Sequence, residues 1–137
     1  VLLKNNDQKI IKDLLQVHRS YSSVVLDLMQ VIKVKGIVHV TGGGLIENTP
    51  RILPDGVGVS IDKSAWSVPN IFSMIQKQGK VDELEMFRVF NMGFGVVLIV
   101  SAEDAKTAMV FLQKRKEKVF LIGKAIKEKD KRVLLHG

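Results

Sequence analysis

The chain has 137 residues, 46% of them hydrophobic and 26% charged, a composition that fits one domain able to bury a core without covalent staples. It has no cysteine, which excludes disulfides and thiolate metal sites and is compatible with a reducing, cytoplasmic setting. No apolar run approaches the ~18 residues of a membrane span and no signal-peptide pattern opens the chain, while a formal net charge of +7 leaves nucleic acid, an acidic membrane surface or a phosphorylated small ligand as partner classes.

In chain order, residues 7–16 read as a short helix. "SYSSVVLDLMQVIKVKG" (20–36) reads as a second, with Tyr21, Val24, Val25, Leu28, Met29 and Ile32 at helical spacing and Gly36 available to close it. "GIVHV" (36–40) is short and β-branched, as expected of a buried strand, and His39 inside it is expected to be a satisfied core histidine. "GVGVSID" (56–62) is a second strand. Ser67 is placed to cap a helix with Pro69 in its first turn, running to Gly79. "VDELEMFRVF" (81–90) is a further short helix whose Asp82, Glu83 and Glu85 suit the positive end of its dipole. "FGVVLIV" (94–100) is the strongest strand, apolar on both faces. Ser101 and Asp104 form a capping pair for a helix with Ala105, Ala108, Met109 and Leu112 on one stripe. "VFLIGKAI" (119–126) and "RVLLH" (132–136) bracket a polar turn and predict a terminal hairpin. This alternation predicts an α+β, layered α/β domain with a mixed sheet packed against helices. The chain begins with Val1, and two helices precede the first strand. Both features raise the expectation of a fragment with sequence upstream.

The basic excess is concentrated in "QKRKEK" (113–118) and "KAIKEKDKR" (124–132), which read as a solvated helix end and a solvated turn. No aromatic residues alternate with these runs, so a stacking platform for single-stranded nucleic acid is not supported. There is no G-x-x-x-x-G-K-[ST] and no G-x-S-x-G. "GFG" (93–95) is followed by Leu98 where a dinucleotide fingerprint needs a third glycine. His18, His39 and His136 are scattered without H-E-x-x-H, so no metal site is expected.

The unusual feature is "HVTGGGLIENTPRILPDG" (39–56), where Gly42, Gly43 and Gly44 follow an apolar run. Glycines at a strand exit allow positive φ, and successive bare N–H groups can form a nest for an anion beside a helix start. A phosphate there would also need a cation such as Arg51 or Arg88, and Glu47 would repel it if turned inward. The other reading of the three glycines is a tight turn and close packing, and the pattern alone leaves both open.

These residues also carry a resemblance. His39, Thr41, Gly42, Gly43, Gly44, Glu47, Asn48, Pro50, Arg51, Leu53, Pro54 and Asp55 stand in register with a motif of the phosphoribosylformylglycinamidine cyclo-ligase (AIR synthetase) family. So do Met86, Phe87, Arg88, Phe90, Asn91 and Gly93 of "EMFRVFNMGFGVVLIV" (85–100). The resemblance runs from about His18 to the C-terminus. It implies that residues 1–137 are the C-terminal domain of such an enzyme, without its N-terminal ATP-binding domain or the opening Ser-Gly-x-His-Ser-Asn-Gly motif. The intact family enzyme closes the imidazole ring of formylglycinamidine ribonucleotide in purine biosynthesis. It uses ATP and Mg²⁺ as a cytoplasmic homodimer, with its active site between the two domains. The resemblance implies substrate-binding roles for His39, Thr41, Gly42, Gly43, Gly44, Asn48, Arg51, Arg88 and Asn91. It assigns no catalytic residue, no metal ligand and no nucleic-acid or membrane partner, and it implies that the fragment alone is inactive and binds neither ATP nor Mg²⁺. Selenophosphate synthetase, thiamine-monophosphate kinase and the hydrogenase maturation protein share the two-domain plan and are the alternatives, beside a non-catalytic phosphate-binding module.

Overall fold

A computed structural model describes residues 8–130 and 132–137. The elements run α1 (Gln8–Leu14), α2 (Ser22–Met29), β1 (Gly36–His39), α3 (Gly44–Asn48), a 3-10 turn (Thr49–Ile52), β2 (Val57–Asp62), α4 (Asn70–Gly79), α5 (Glu83–Val89), β3 (Val96–Ile99), α6 (Ala102–Lys114), β4 (Gly123–Lys127) and β5 (Val133–His136). Helices and a mixed set of strands make this an α+β fold, as the sequence predicts. The predicted start of the first helix at residue 7 lies outside the described residues.

β1 and β3 pair antiparallel, from Gly36 opposite Ile99 to His39 opposite Val96. β2 is the central strand of a second sheet, antiparallel to β4 on one side and parallel to β5 on the other. β3 separates two cores, because successive side chains of a strand point to opposite faces. Val96, Leu98 and Val100 pack with Val24, Val25 and Leu28 of α2 and Ala108 and Leu112 of α6. Val97 and Ile99 pack on the other side with Val38, Leu45, Val59, Ile61, Trp66, Met86 and Phe87. The two-faced apolarity of "FGVVLIV" follows from this position.

Caps fix several helix starts. Ser101 Oγ accepts from the Asp104 amide at 3.1 Å and donates to Asp104 Oδ2 at 2.7 Å, so the predicted pair closes α6. Asp82 Oδ1 accepts from the Leu84 amide at 2.8 Å, with Glu83 and Glu85 in the first turn of α5. Ser67 does not cap α4; the residue before the helix is Pro69, whose extended backbone (φ −58°, ψ 140°) starts it without a side-chain bond.

Three further expectations are corrected. The second helix ends at Met29, not near Gly36, and Gly36 opens β1 instead. The β-branched residues of "VIKVKG" leave the helix and lead into the sheet, where Lys35 N donates to Ile99 O at 2.7 Å. β4 and β5 do not form a hairpin, because β2 lies between them. A hairpin joins neighbouring strands only, whereas β4 and β5 stand two strand spacings apart, about 9.6 Å. His39 is exposed and not a core residue, since it is Val38 and Val40 that point into the core.

The basic segment at the end of α6 is partly neutralised within the fold. Arg115 pairs with Asp27 at 2.6 Å and lies over the Phe111 ring, and Glu117 pairs with Arg19. The run therefore reads as a solvated helix end that also ties α6 to α2. Among the described residues no helix is long and apolar enough to cross a membrane.

A cleft of about 1220 Å³ lies between β3, α6 and the β2–β4 pair. Thr49 lines it with a buried hydroxyl that has no hydrogen-bond partner among the described residues.

Candidate functional site

The antiparallel register brings two glycine-containing loops to one end of the β1–β3 pair. β1 exits into Thr41–Gly44 where β3 is entered from Asn91–Gly95, and Val40 N donates to Gly95 O at 3.0 Å across the junction.

The three glycines of the first loop do different work. Gly44 is buried with φ +52°, and a Cβ there would lie 2.1 Å from Phe87 O and 2.6 Å from Phe90 O. It must be glycine so that α3 can seat on the C-terminal carbonyls of α5. Its amide is also taken, donating to Thr41 O at 3.0 Å. Gly43 has φ +100° and turns the chain into α3. Gly42 is exposed, and nothing lies within 4 Å of where its Cβ would be. Among the described residues no hydrogen bond takes the amides of Gly42 or Gly43. The glycines therefore divide: Gly44 serves close packing, Gly43 turns the chain beneath the Glu47 carboxylate, and Gly42 faces open space.

Asn48 braces this loop from below. It is buried, and its Nδ2 donates to Gly42 O at 3.0 Å and to Gly44 O at 2.9 Å. Its Oδ1 accepts from the Thr41 hydroxyl at 3.4 Å. Both of its Nδ2 donor hydrogens are thus used inside the loop, and the exposed Thr41 hydroxyl marks the outer side. Asn91 braces the second loop in the same way. Its Oδ1 accepts from Gly93 N at 3.0 Å, which holds Met92 and Gly93 at positive φ. Trp66 Nε1 donates to Met92 O at 3.1 Å beneath it, and Gly93 lies against Pro69, where a Cβ would approach Cδ to 2.8 Å.

The two arginines are placed differently. Arg88, on the last turn of α5, donates from Nε to Glu85 Oε2 at 2.9 Å and stands 3.9 Å from Glu47 Oε1. The Glu85 hydrogen bond, then the Glu85 charge, raises its pKa above the ordinary arginine value, so its charge is permanent. Glu47 in turn curls back to the loop, where Gly43's Cβ would lie 3.1 Å from Oε2. Arg88, Glu47 and Gly43 therefore stand in a row. Arg51 lies farther off. The 3-10 turn that carries it ends at Ile52, against Gly36 at the other end of β1, about 10 Å of helical rise from Gly44. Arg51 is exposed, and among the described residues no ion pair or hydrogen bond engages it.

His39 sits beside the mouth. Its Nε2 is 3.1 Å from Nε2 of His18, a residue that spacing along the chain did not connect with it. Trp66 and Tyr21 were likewise missed as supports; the Tyr21 ring fills the space where a Gly95 Cβ would be, 2.2 Å from its hydroxyl. Their one signal was that large aromatic residues are scarce in this chain, with a single Trp and a single Tyr.

This arrangement defines a class: an α+β domain with two glycine-containing loops at one end of a strand pair, and with Glu47 and Arg88 beside the first of them. The comparisons place it more closely. Residues 2–136 match the family described as AIR synthase related protein, C-terminal domain, and the chain belongs to that family. It is 44% identical over 116 residues to a phosphoribosylformylglycinamidine cyclo-ligase of Bacillus cytotoxicus, covering 85% of this chain and 33% of that protein. It is 51% identical over 105 residues to the protein of that name from Desulfitobacterium hafniense strain DCB-2 (77% and 31%), and 47% identical over 123 residues to that of Caldicellulosiruptor bescii (90% and 36%). The chain thus spans about a third of the length of these relatives. The crystal structure of E. coli HypE, a hydrogenase maturation protein, superposes with a TM-score of 0.68 over 93% of this chain and 40% of that one. At 21% identity this supports the fold alone.

Proposed function

We propose that the chain is the C-terminal domain of a phosphoribosylformylglycinamidine cyclo-ligase, and that its glycine loop holds the phosphate of a ribonucleotide. One observation carries this reading: among the described residues no hydrogen bond takes the Gly42 and Gly43 amides, in a loop braced by Asn48 and open at Gly42. Arg88 supplies the charge, and Glu47, whose carboxylate lies between Arg88 and Gly43, turns aside when the phosphate enters. In the reaction that this assignment implies, ATP phosphorylates the formyl oxygen of formylglycinamidine ribonucleotide, the amidine nitrogen attacks the activated carbon, and phosphate leaves. This domain's share is to bind and orient. The amides of Gly42 and Gly43 donate to phosphate oxygens, Arg88 balances their charge, and Thr41, whose hydroxyl donates to Asn48 Oδ1, helps Asn48 and Asn91 keep the two loops in shape.

Arg51, exposed on the 3-10 turn after α3, and His39 belong to the same proposal as further polar contacts to the ribonucleotide. ATP, the N-terminal domain that would bind it, the homodimer and a cytoplasmic setting belong to the same proposal. Mg²⁺ in the intact enzyme is likewise part of that proposal; among the described residues no group of three His, Cys, Asp or Glu side chains is placed to hold a metal ion.

The test uses the full-length protein that carries this domain, with ADP release read against formylglycinamidine ribonucleotide. Arg88→Ala is expected to raise KM for the ribonucleotide about 10- to 100-fold, the effect of losing one charged hydrogen bond of roughly 1.5–3 kcal/mol. Glu47→Gln removes a competing carboxylate and is expected to leave KM unchanged or lower it. If the ribonucleotide does not stimulate ADP release, the assignment fails. If it does and Arg88→Ala has wild-type constants, the phosphate lies elsewhere.

A further inference from the structure

The sequence separates His18 and His39 by 21 positions, and the fold brings their Nε2 atoms to 3.1 Å. Both side chains are exposed, and the ring centroids lie 5.1 Å apart at 58°. From this geometry we propose a two-histidine site for a late first-row divalent transition ion such as Zn²⁺ or Ni²⁺.

The separation matches the chemistry. Zinc binds imidazole nitrogen at about 2.0–2.1 Å, so two nitrogens on one ion at an angle of about 100° lie about 3.1 Å apart. Imidazole is the ligand type that zinc and nickel favour. Without an ion, the two Nε2 atoms stand at hydrogen-bonding distance, with donor and acceptor set by the tautomers. With an ion, each ring presents its Nε2 lone pair and keeps its hydrogen on Nδ1, so the pair needs little rearrangement.

Both imidazoles stand on anchored backbone. His39 ends β1, fixed opposite Val96. His18 lies between two anchors. Arg19 pairs with Glu117 after α6, and the Tyr21 ring packs under Gly95 while meeting the His18 ring edge-on at 5.8 Å. Arg19 lies over the other part of the Tyr21 ring, 5.7 Å from its centroid, with its charge already paired to Glu117. With two protein ligands, the remaining coordination positions belong to water. The ion would clamp the segment before α2 to the exit of β1, two residues from Thr41. This proposal does not depend on what the glycine loop binds.

Isothermal titration of the 137-residue chain, free of any histidine tag, with ZnCl₂ and separately NiCl₂ tests it. One ion per chain is expected, with a micromolar dissociation constant. His18→Ala and His39→Ala should each weaken binding at least tenfold, and His136→Ala should not. Thermal melts of each variant without metal confirm that the fold is intact, which the exposure of both side chains favours. Zinc should raise the wild-type melting temperature and leave that of His18→Ala unchanged. Absence of binding by the wild type, or identical titrations for wild type and His18→Ala, overturns the site.

Discussion

Gly44→Ala is expected to destabilise the domain by about 2–5 kcal/mol, from a left-handed backbone that alanine resists and a side chain forced into a packed contact. The methyl group would sit 2.1 Å from Phe87 O and 2.6 Å from Phe90 O. Both are backbone atoms at the end of α5, so no rotamer change relieves the contact. α3 must back away from α5, or α5 must unwind its last turn. Against a typical domain stability of about 5–15 kcal/mol this is a large fraction, and urea denaturation should show a clearly lower midpoint. Gly42→Ala is the matched control. Nothing lies within 4 Å of its Cβ position, so its midpoint should stay close to wild type. Equal midpoints for the two variants would mean that α3 does not seat on α5 as described.

Asn48→Ala is the second large effect. It removes both donors that bridge Gly42 O and Gly44 O, and it leaves a void in a buried site. An unmet buried polar group costs about 1–3 kcal/mol, so a loss of about 2–4 kcal/mol is expected. Asn48→Asp separates hydrogen bonding from volume. It keeps the shape but points carboxylate oxygens at two carbonyl oxygens, and near neutral pH it should be at least as destabilising as alanine. If Asn48→Asp were as stable as wild type, the amide would not be the brace of this loop.

These two residues also show what could be read before the fold was seen. The apolar patterns of β1, β2 and β3, the Ser101–Asp104 cap and the stripe on α6 are local, and they emerged where expected. The glycine run could be read as a turn, an anion nest or both, but the separate tasks of Gly42 and Gly44 could not. That division depends on α5, about forty residues downstream, whose carbonyls meet Gly44 and leave Gly42 open. The exchange of a terminal hairpin for two strands flanking β2 was hidden for the same reason. The polar turn at 128–132 is compatible with either pairing, and only the buried β2 decides between them. The apolarity of its neighbours suggests a core position for His39, but alternation along the strand puts it on the face opposite to Val38 and Val40. Its partner His18 lies outside any periodic pattern.

The function proposed for this domain rests on bare amides at the loop mouth. A ¹⁵N–¹H correlation spectrum of the 137-residue chain, titrated with ribose 5-phosphate, reads those amides one by one. Saturable shifts confined to Thr41, Gly42, Gly43 and the neighbourhood of Arg88 are expected, with Gly44 responding less because its N–H is already bonded to Thr41 O. A spectrum in which the lysine-rich end of α6 moves while Gly42 and Gly43 stay fixed would contradict the proposed phosphate site.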